Sequence, residues 1–163
     1  MEYSPEREKA ASILAEHIAK QSGAALIIDY GYSLTTIGDT LQAVQDHKSS
    51  PVLSTPGAAD ITAHVDFESI YRATMNSKIL FFGPISQRQF LTRIGIKTRA
   101  SSLMSKATPE NAEKTYSALM RLIAPELMGT MFKAVAIVGG NKFIPPGFDK
   151  VSNTLKHKHE TIP

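Results

Sequence analysis

AALIIDYG, residues 24–31, is a short unbroken apolar run that ends on Asp29 and then reaches Gly31. A strand buried on both faces of a sheet loses the polar–apolar alternation of a half-exposed one, and this run has none. A helical pattern that closes in Ser22-Gly23 stands directly before it. Helix, glycine and apolar run together read as the αβ half of a parallel α/β unit. In open α/β sheets, ligands sit beyond the carboxyl ends of the strands. Asp29, Tyr30 and Gly31 occupy that place.

The helix upstream has clear punctuation. Ser4 offers an N-cap hydroxyl, and Pro5 suits the first helical position, where no N–H is needed. Glu6 and Glu8 put negative charge on the positive end of the helix dipole. Ala11, Leu14 and Ile18 recur at helical spacing and predict the buried stripe, and Gly23 is the expected C-terminal glycine. His17 reads as a half-buried surface residue.

Downstream, residues 33–65 are long, polar and broken by Pro51, Pro56 and Gly57, so they read as a loop with a short helix around residues 38–45. A stretch of that length without strong elements points to function. Asp66 is placed to cap a helix from Phe67 to Met75. KILFFGP (78–84) predicts a second strand closed by Gly83-Pro84. Gln87 to Ile94 predicts a helix interrupted by Gly95, with another running to about Lys106. Thr108 and Pro109 open a further helix that Pro125 ends. MFKAVAIVGG (131–140) predicts a third strand, and the Pro-, Lys- and His-rich residues 141–163 a loose tail. Three strands flanked by helices make half of an ordinary open sheet.

Composition narrows the classes. The 163 residues are one domain's worth of chain, 42% are hydrophobic, and there is no cysteine. Disulfide frameworks, zinc–thiolate sites and cysteine nucleophiles are therefore excluded. No apolar run approaches a membrane span, and the polar, acidic N-terminal residues do not read as a signal or transit peptide, so a cytoplasmic setting is expected. Residues 29–68 carry six acidic residues against Lys48, a net −5, whereas residues 69–163 carry a net +9. Such asymmetry suggests two faces with different partners, or clustering on solvated surfaces. Arg93, Lys97, Arg99 and Lys106 lack interleaved aromatics and read as a solvated helix face, so no nucleic-acid partner is expected.

Three chemistries are open for the middle segment. IIDYGY has an acid and a glycine after a strand, but no G-x-G-x-x-G or G-x-x-x-x-G-K-[ST] accompanies it, so its nucleotide signal is weak. Asp46-His47-Lys48 and the run from Asp60 through His64 to Asp66 gather metal-ligand residue types, but their spacing matches no metal motif. They also suit a hydrogen-bonded network, or an acidic rim that receives a guanidinium with histidine as proton acceptor. His157-Lys158-His159 in the tail reads as surface solvation.

Five segments in register carry a resemblance: GAALIIDYGY (23–32), GDTLQAVQDHK (38–48), PGAADITAHVDF (56–67), GPISQRQFLTRIGI (83–96) and MGTMFKAVAIV (128–138). Over roughly residues 2–138 the chain resembles the C-terminal half of the MidA family. These are class I S-adenosylmethionine-dependent methyltransferases that include the mitochondrial complex I assembly-factor methyltransferase. The resemblance implies an α/β, Rossmann-like methyltransferase sheet over residues 1–140. It also implies a substrate-side insertion at about residues 33–65 and a helical segment at about 87–124. It further implies S-adenosylmethionine as cofactor, and a protein substrate bearing arginine, such as a complex I subunit. The family's glycine-rich cofactor loop lies upstream of the matched segments, so the chain is expected to be inactive alone and to need the N-terminal half or a second chain. In this reading Asp29, Tyr30 and Gly31 face the reaction cleft. Asp46, His47, Lys48, Thr62 and Asp66 line the insertion, and Asp60 and His64 hold or deprotonate the target guanidinium. No residue is assigned to the cofactor or to a metal. The competing readings are a non-catalytic interaction module derived from the family, and a metal-dependent enzyme built on the His/Asp loop.

Overall fold

A computed structural model describes residues 2–54, 56–140 and 143–149. The first helix, α1 (Pro5–Gln21), has Pro5 at its first position and Glu6 and Glu8 in its first turn, as expected. Ser4 stands at the N-cap, but its side chain makes no capping bond. Ala11, Ala15 and Ile18 are the buried stripe, so Ala15 takes the place expected of Leu14. The helix ends on Ser22 in the left-handed region (φ 55°), one residue before the glycine. His17 is exposed.

Strand β1 (Ala24–Tyr32) follows at once. Further strands complete two sheets: β2 (Gln42–Gln45), β3 (Lys48–Ser50), β4 (Asp60–Thr62), β5 (Val65–Asp66), β6 (Ile79–Ser86) and β7 (Phe132–Gly139). The main sheet has the order β5-β1-β7-β6, and the smaller one β3-β2-β4. The α/β class is as expected, but the sheet is mixed. β7 runs antiparallel between β1 and β6, and β1 is parallel only to β5, at Gly31 and Tyr32. The expected parallel partner along β1 is therefore replaced by β7. Beyond β5, the outer edge of β1 from Ala24 to Tyr30 has no strand beside it among the described residues.

The sheet separates two cores. On one face, Ala11, Phe67, Ile70 and Val135 pack together with Ile27 and Phe81 beneath α1 and α2 (Phe67–Thr74). On the other, Phe82, Phe90, Ala134, Ala136, Val138 and Phe148 form the second cluster. Fully burying one such phenylalanine or isoleucine is worth about 1.5–3 kcal/mol. The second face is covered over β6 and β7 by α3 (Gln87–Arg93) and residues 143–149. It is bare over β1, where Leu26 is 52% and Ile28 38% exposed. β1 is thus not buried on both faces. Residues 143–149, read from sequence as part of a loose tail, place Phe148 between Phe82 and Phe90, and Asp149 pairs with Arg93 at 2.6 Å. His157-Lys158-His159 lie outside the described residues.

The segment expected to be a loop with a short helix contains the second sheet instead. Gln45 and Lys48 are paired, so Asp46-His47 form a two-residue hairpin turn. Both have positive φ (51° and 62°), the backbone of a type I′ turn. That turn usually carries Asn-Gly or Asp-Gly, and no such pair is present here to announce it. β6 also departs from expectation. It runs through Gly83-Pro84 to Ser86 by way of a register shift between Phe82 and Ile85, which takes the proline out of the ladder.

The helices downstream agree with their sequence signals. α3 opens on a reciprocal capping box between Ser86 and Gln89. α4 (Ile96–Met104) follows Gly95, and α5 (Pro109–Ile123) is capped by Thr108. An irregular turn over Pro125–Gly129, kinked at Leu127 (φ −110°, ψ −124°), leads into β7. Among the described residues no helix is long and apolar enough to cross a membrane.

Candidate functional site at the carboxyl end of β1

Gly31 is where the main sheet receives β5. A Cβ there would lie 2.1 Å from the Val65 carbonyl oxygen, so only glycine lets the two backbones approach this closely. Tyr30, one residue earlier, sets its ring edge-on to His64 (centroids 5.5 Å apart) and to Phe132 (5.6 Å). Asp29 accepts a hydrogen bond from the Tyr30 N–H at 2.8 Å. Its cross-strand partner is Lys133, whose ammonium group is pushed below its usual pKa by burial.

His64 is held from three sides. Its ring meets Tyr30, its Nε2 lies 3.3 Å from Gln42 Nε2, and its backbone N–H donates to Thr40 Oγ1 at 3.0 Å. An amide NH2 facing a ring nitrogen makes Gln42 the donor and leaves the imidazole proton on Nδ1; the network assigns this tautomer. Thr40 in turn is gripped by Glu2: its N–H donates to Oε1 at 2.8 Å, and its hydroxyl donates to Oε2. Those bonds, the hydroxyl's first, hold the Glu2 carboxyl below the usual carboxylate range.

Behind this rim lies a buried acidic cluster. Asp66 is 2% exposed and caps α2, accepting from the Ser69 N–H at 3.0 Å and from the Thr35 hydroxyl at 2.7 Å. Glu68 is 8% exposed and accepts from the Thr35 N–H at 2.6 Å. Arg7 donates to Ser69 Oγ at 3.2 Å, and Arg72 approaches Thr35 and Glu68. Burial, aided by the nearby Asp66 and Glu2 charges, raises the Tyr32 phenol above its ordinary value. Thr35, through its N–H to Glu68 and its hydroxyl to Asp66, ties the chain after β1 onto α2.

The residues singled out from sequence therefore separate into groups. Tyr30, Gly31 and His64 come together, with Thr62 alongside through its pairing with Gln42. Asp60 lies opposite Val44 on the same face of β4 as Thr62, about 7 Å along the strand. It is exposed, and its side chain makes no hydrogen bond or ion pair among the described residues. Asp46 and His47 form the hairpin turn and Lys48 begins β3, at the far end of the small sheet. Asp66 is occupied in capping. Glu2, Thr40, Gln42, Thr35 and Glu68 were not read from the sequence, since their partners lie 22 to 38 positions away. Among the described residues no three His, Asp or Glu side chains group as a metal site.

The spaces a Cβ would take at Gly31, Gly83 and Gly139 are filled by the chain's own backbone at Val65, Ala134 and Ile18.

The fold is a mixed α/β sheet with Tyr30, Gly31 and His64 gathered at the carboxyl end of β1, and comparison with known families gives the class of protein that carries it. The family model described as "Putative S-adenosyl-L-methionine-dependent methyltransferase" matches residues 1–85, and the chain belongs to that family. Among curated proteins it is 38% identical over 141 residues to the protein arginine methyltransferase NDUFAF7 homolog, mitochondrial, of Drosophila melanogaster, covering 86% of this chain and 32% of that protein. With the NDUFAF7 protein of Danio rerio it shares 39% over 125 residues (77% and 29%), and with that of Homo sapiens 36% over 139 residues (85% and 31%). The chain spans about a third of the length of these relatives. A Burkholderia thailandensis crystal structure superposes with a TM-score of 0.74 at 27% identity, over 91% of this chain and 41% of that one. A second structure from the same organism, bound to S-adenosyl-homocysteine, gives 0.65 at 27% identity, over 88% and 37%. The resemblance read from the five segments is thus borne out at the level of the family.

Proposed function

We propose that the chain supplies the target-side part of a protein-arginine methyltransferase, with residues 33–65 as the substrate-side insertion. The identity to relatives named protein arginine methyltransferases, which runs over most of the chain, is the observation that carries this reading. The local chemistry supports it. Residues 29–68 are net negative, which draws a guanidinium toward the cleft. Asp60 is exposed and unpaired among the described residues, and a carboxylate pairs bidentately with a planar guanidinium. The Gln42 amide presents an N–H donor to His64 Nε2, the place that a guanidinium N–H would take. His64 is then the proton acceptor, and Tyr30 the wall against which the target side chain lies. The target is a subunit of the kind found in respiratory complex I, and the work is done in the cytoplasm.

The cofactor half of the reaction falls to the part of the relatives' length that the matched third does not cover. The segment equivalent to the remaining two-thirds of the relatives, in the same polypeptide or in another, packs on the open edge of β1. The bare Leu26 and Ile28 favour such packing. So does an adjoining apolar groove of about 430 Å³ that Leu26, Phe90, Ile94 and Phe148 help to line.

Calorimetric titration of the purified chain tests both halves of the reading. An arginine-containing peptide should bind, with roughly tenfold weaker affinity in Asp60→Ala, and S-adenosylmethionine should give no signal. Unchanged peptide affinity in Asp60→Ala would sink the guanidinium seat. Micromolar binding of S-adenosylmethionine would show a cofactor site within this chain and make it an enzyme in its own right.

A further inference from the structure

We infer that Glu2 is a positioning residue for the cleft, acting on His64 through Thr40. The inference rests on the reading of His64 as the group that faces the target, and adds how it is held there. Thr40 is the middle of a three-part clasp. Its hydroxyl donates to Glu2 Oε2 and at the same time accepts the His64 backbone N–H at 3.0 Å. Its own N–H donates to Glu2 Oε1 at 2.8 Å. Both oxygens of one carboxylate are thus spent on one residue, a bidentate arrangement that fixes orientation as well as distance.

The clasp brings three separate parts of the chain together. Glu2 lies just ahead of α1, Thr40 leads into β2, and His64 links β4 to β5. The other anchors of the His64 ring, Gln42 and Tyr30, belong to the small sheet and to β1 respectively. With Thr40 free, the backbone of His64 would be held, among the described residues, by its flanking strands, β4 and the two-residue β5. A hydroxyl that donates and accepts at once is more polarised than one that does either alone. The lowered Glu2 pKa agrees with a carboxylate kept charged by these bonds. Substrate contact is not part of this role, since Glu2 acts on the cleft only through Thr40.

Hydrogen exchange and ¹H NMR of the whole chain, without ligand, test the clasp. In Thr40→Val the shape is kept and the hydroxyl is lost. The His64 N–H should then exchange roughly tenfold faster, and the His64 ring protons should move toward free-histidine positions. Glu2→Ala should do the same, while Thr40→Ser, which keeps the hydroxyl and the N–H, should restore wild-type behaviour. Exchange at residues 134–138 in β7 serves as the folding control and should not change. A His64 amide and ring unaltered in both Thr40→Val and Glu2→Ala would overturn the proposal, as would a Thr40→Ser variant that behaves like Thr40→Val. Peptide titration of the same variants separates this from the reading beneath it. A wild-type chain that binds no arginine peptide defeats the guanidinium seat while leaving the clasp readout intact.

Discussion

Gly31 shows how much one residue can decide. The Val65 carbonyl occupies the space of its missing side chain, so β5 and the capping Asp66 reach the main sheet only because that side chain is hydrogen. Gly31→Ala should destabilise the chain by about 3 kcal/mol or detach β5. Urea unfolding and exchange at Val65 and Asp66 would read this, and a variant within experimental error of wild type would refute the close approach. The sequence put Gly31 at the cleft, and the structure gives it a packing reason to be there. Tyr30 and His64 were likewise legible as candidates from residue type and position. Their contact was not, because 34 positions separate them and no local pattern records which ring meets which. Glu2 and Thr40 carried no signal at all. A glutamate before a helix and a threonine in a polar stretch are ordinary until the fold brings them together.

Elements with strong local chemistry could be read directly, and α2 is the clearest case. Asp66 was expected to cap it, and it does so while also accepting from Thr35. Asp66→Ala removes a cap and leaves the Thr35 hydroxyl without that acceptor, so it should cost about 2 kcal/mol. Thermal unfolding measures the loss, and Asp66→Asn should recover most of the capping part. A loss within about 0.5 kcal/mol would mean the cap carries little. The small sheet was missed for a physical reason. Its strands are three or four residues long, and its hairpin turn adopts left-handed backbone at Asp46 and His47 without a glycine. Strands that short carry too little alternation to stand out, and their pairing is supplied by the neighbouring strand. The same limit explains β6. A Gly-Pro pair normally ends a strand, and only its partner β7 shows that the ladder resumes at Ile85.

At the scale of the whole molecule, the β1 edge is the outstanding feature. Nothing among the described residues pairs with Ala24 to Tyr30 on that side, and Leu26 and Ile28 face solvent. Leu26→Lys and Ile28→Lys should change the stability of the isolated chain by less than about 1 kcal/mol, because these side chains are already half exposed. The pair should abolish docking of the complementary two-thirds of a relative, such as the Burkholderia thailandensis protein. Analytical ultracentrifugation of the mixture checks this. A doubly substituted chain that still co-sediments would move the interface elsewhere on the molecule.

By itself the sequence determined the α/β class, the helices with the Asp66 and Thr108 caps, the three long strands and the family, because each rests on local composition or on ordered motifs that survive without coordinates. The direction in which β1 pairs, the second sheet, the packing of Phe148 and the clasp on His64 were decided only in the tertiary structure. Each depends on which distant segment lies alongside, and hydrogen bonds between such segments leave no period in the chain that makes them.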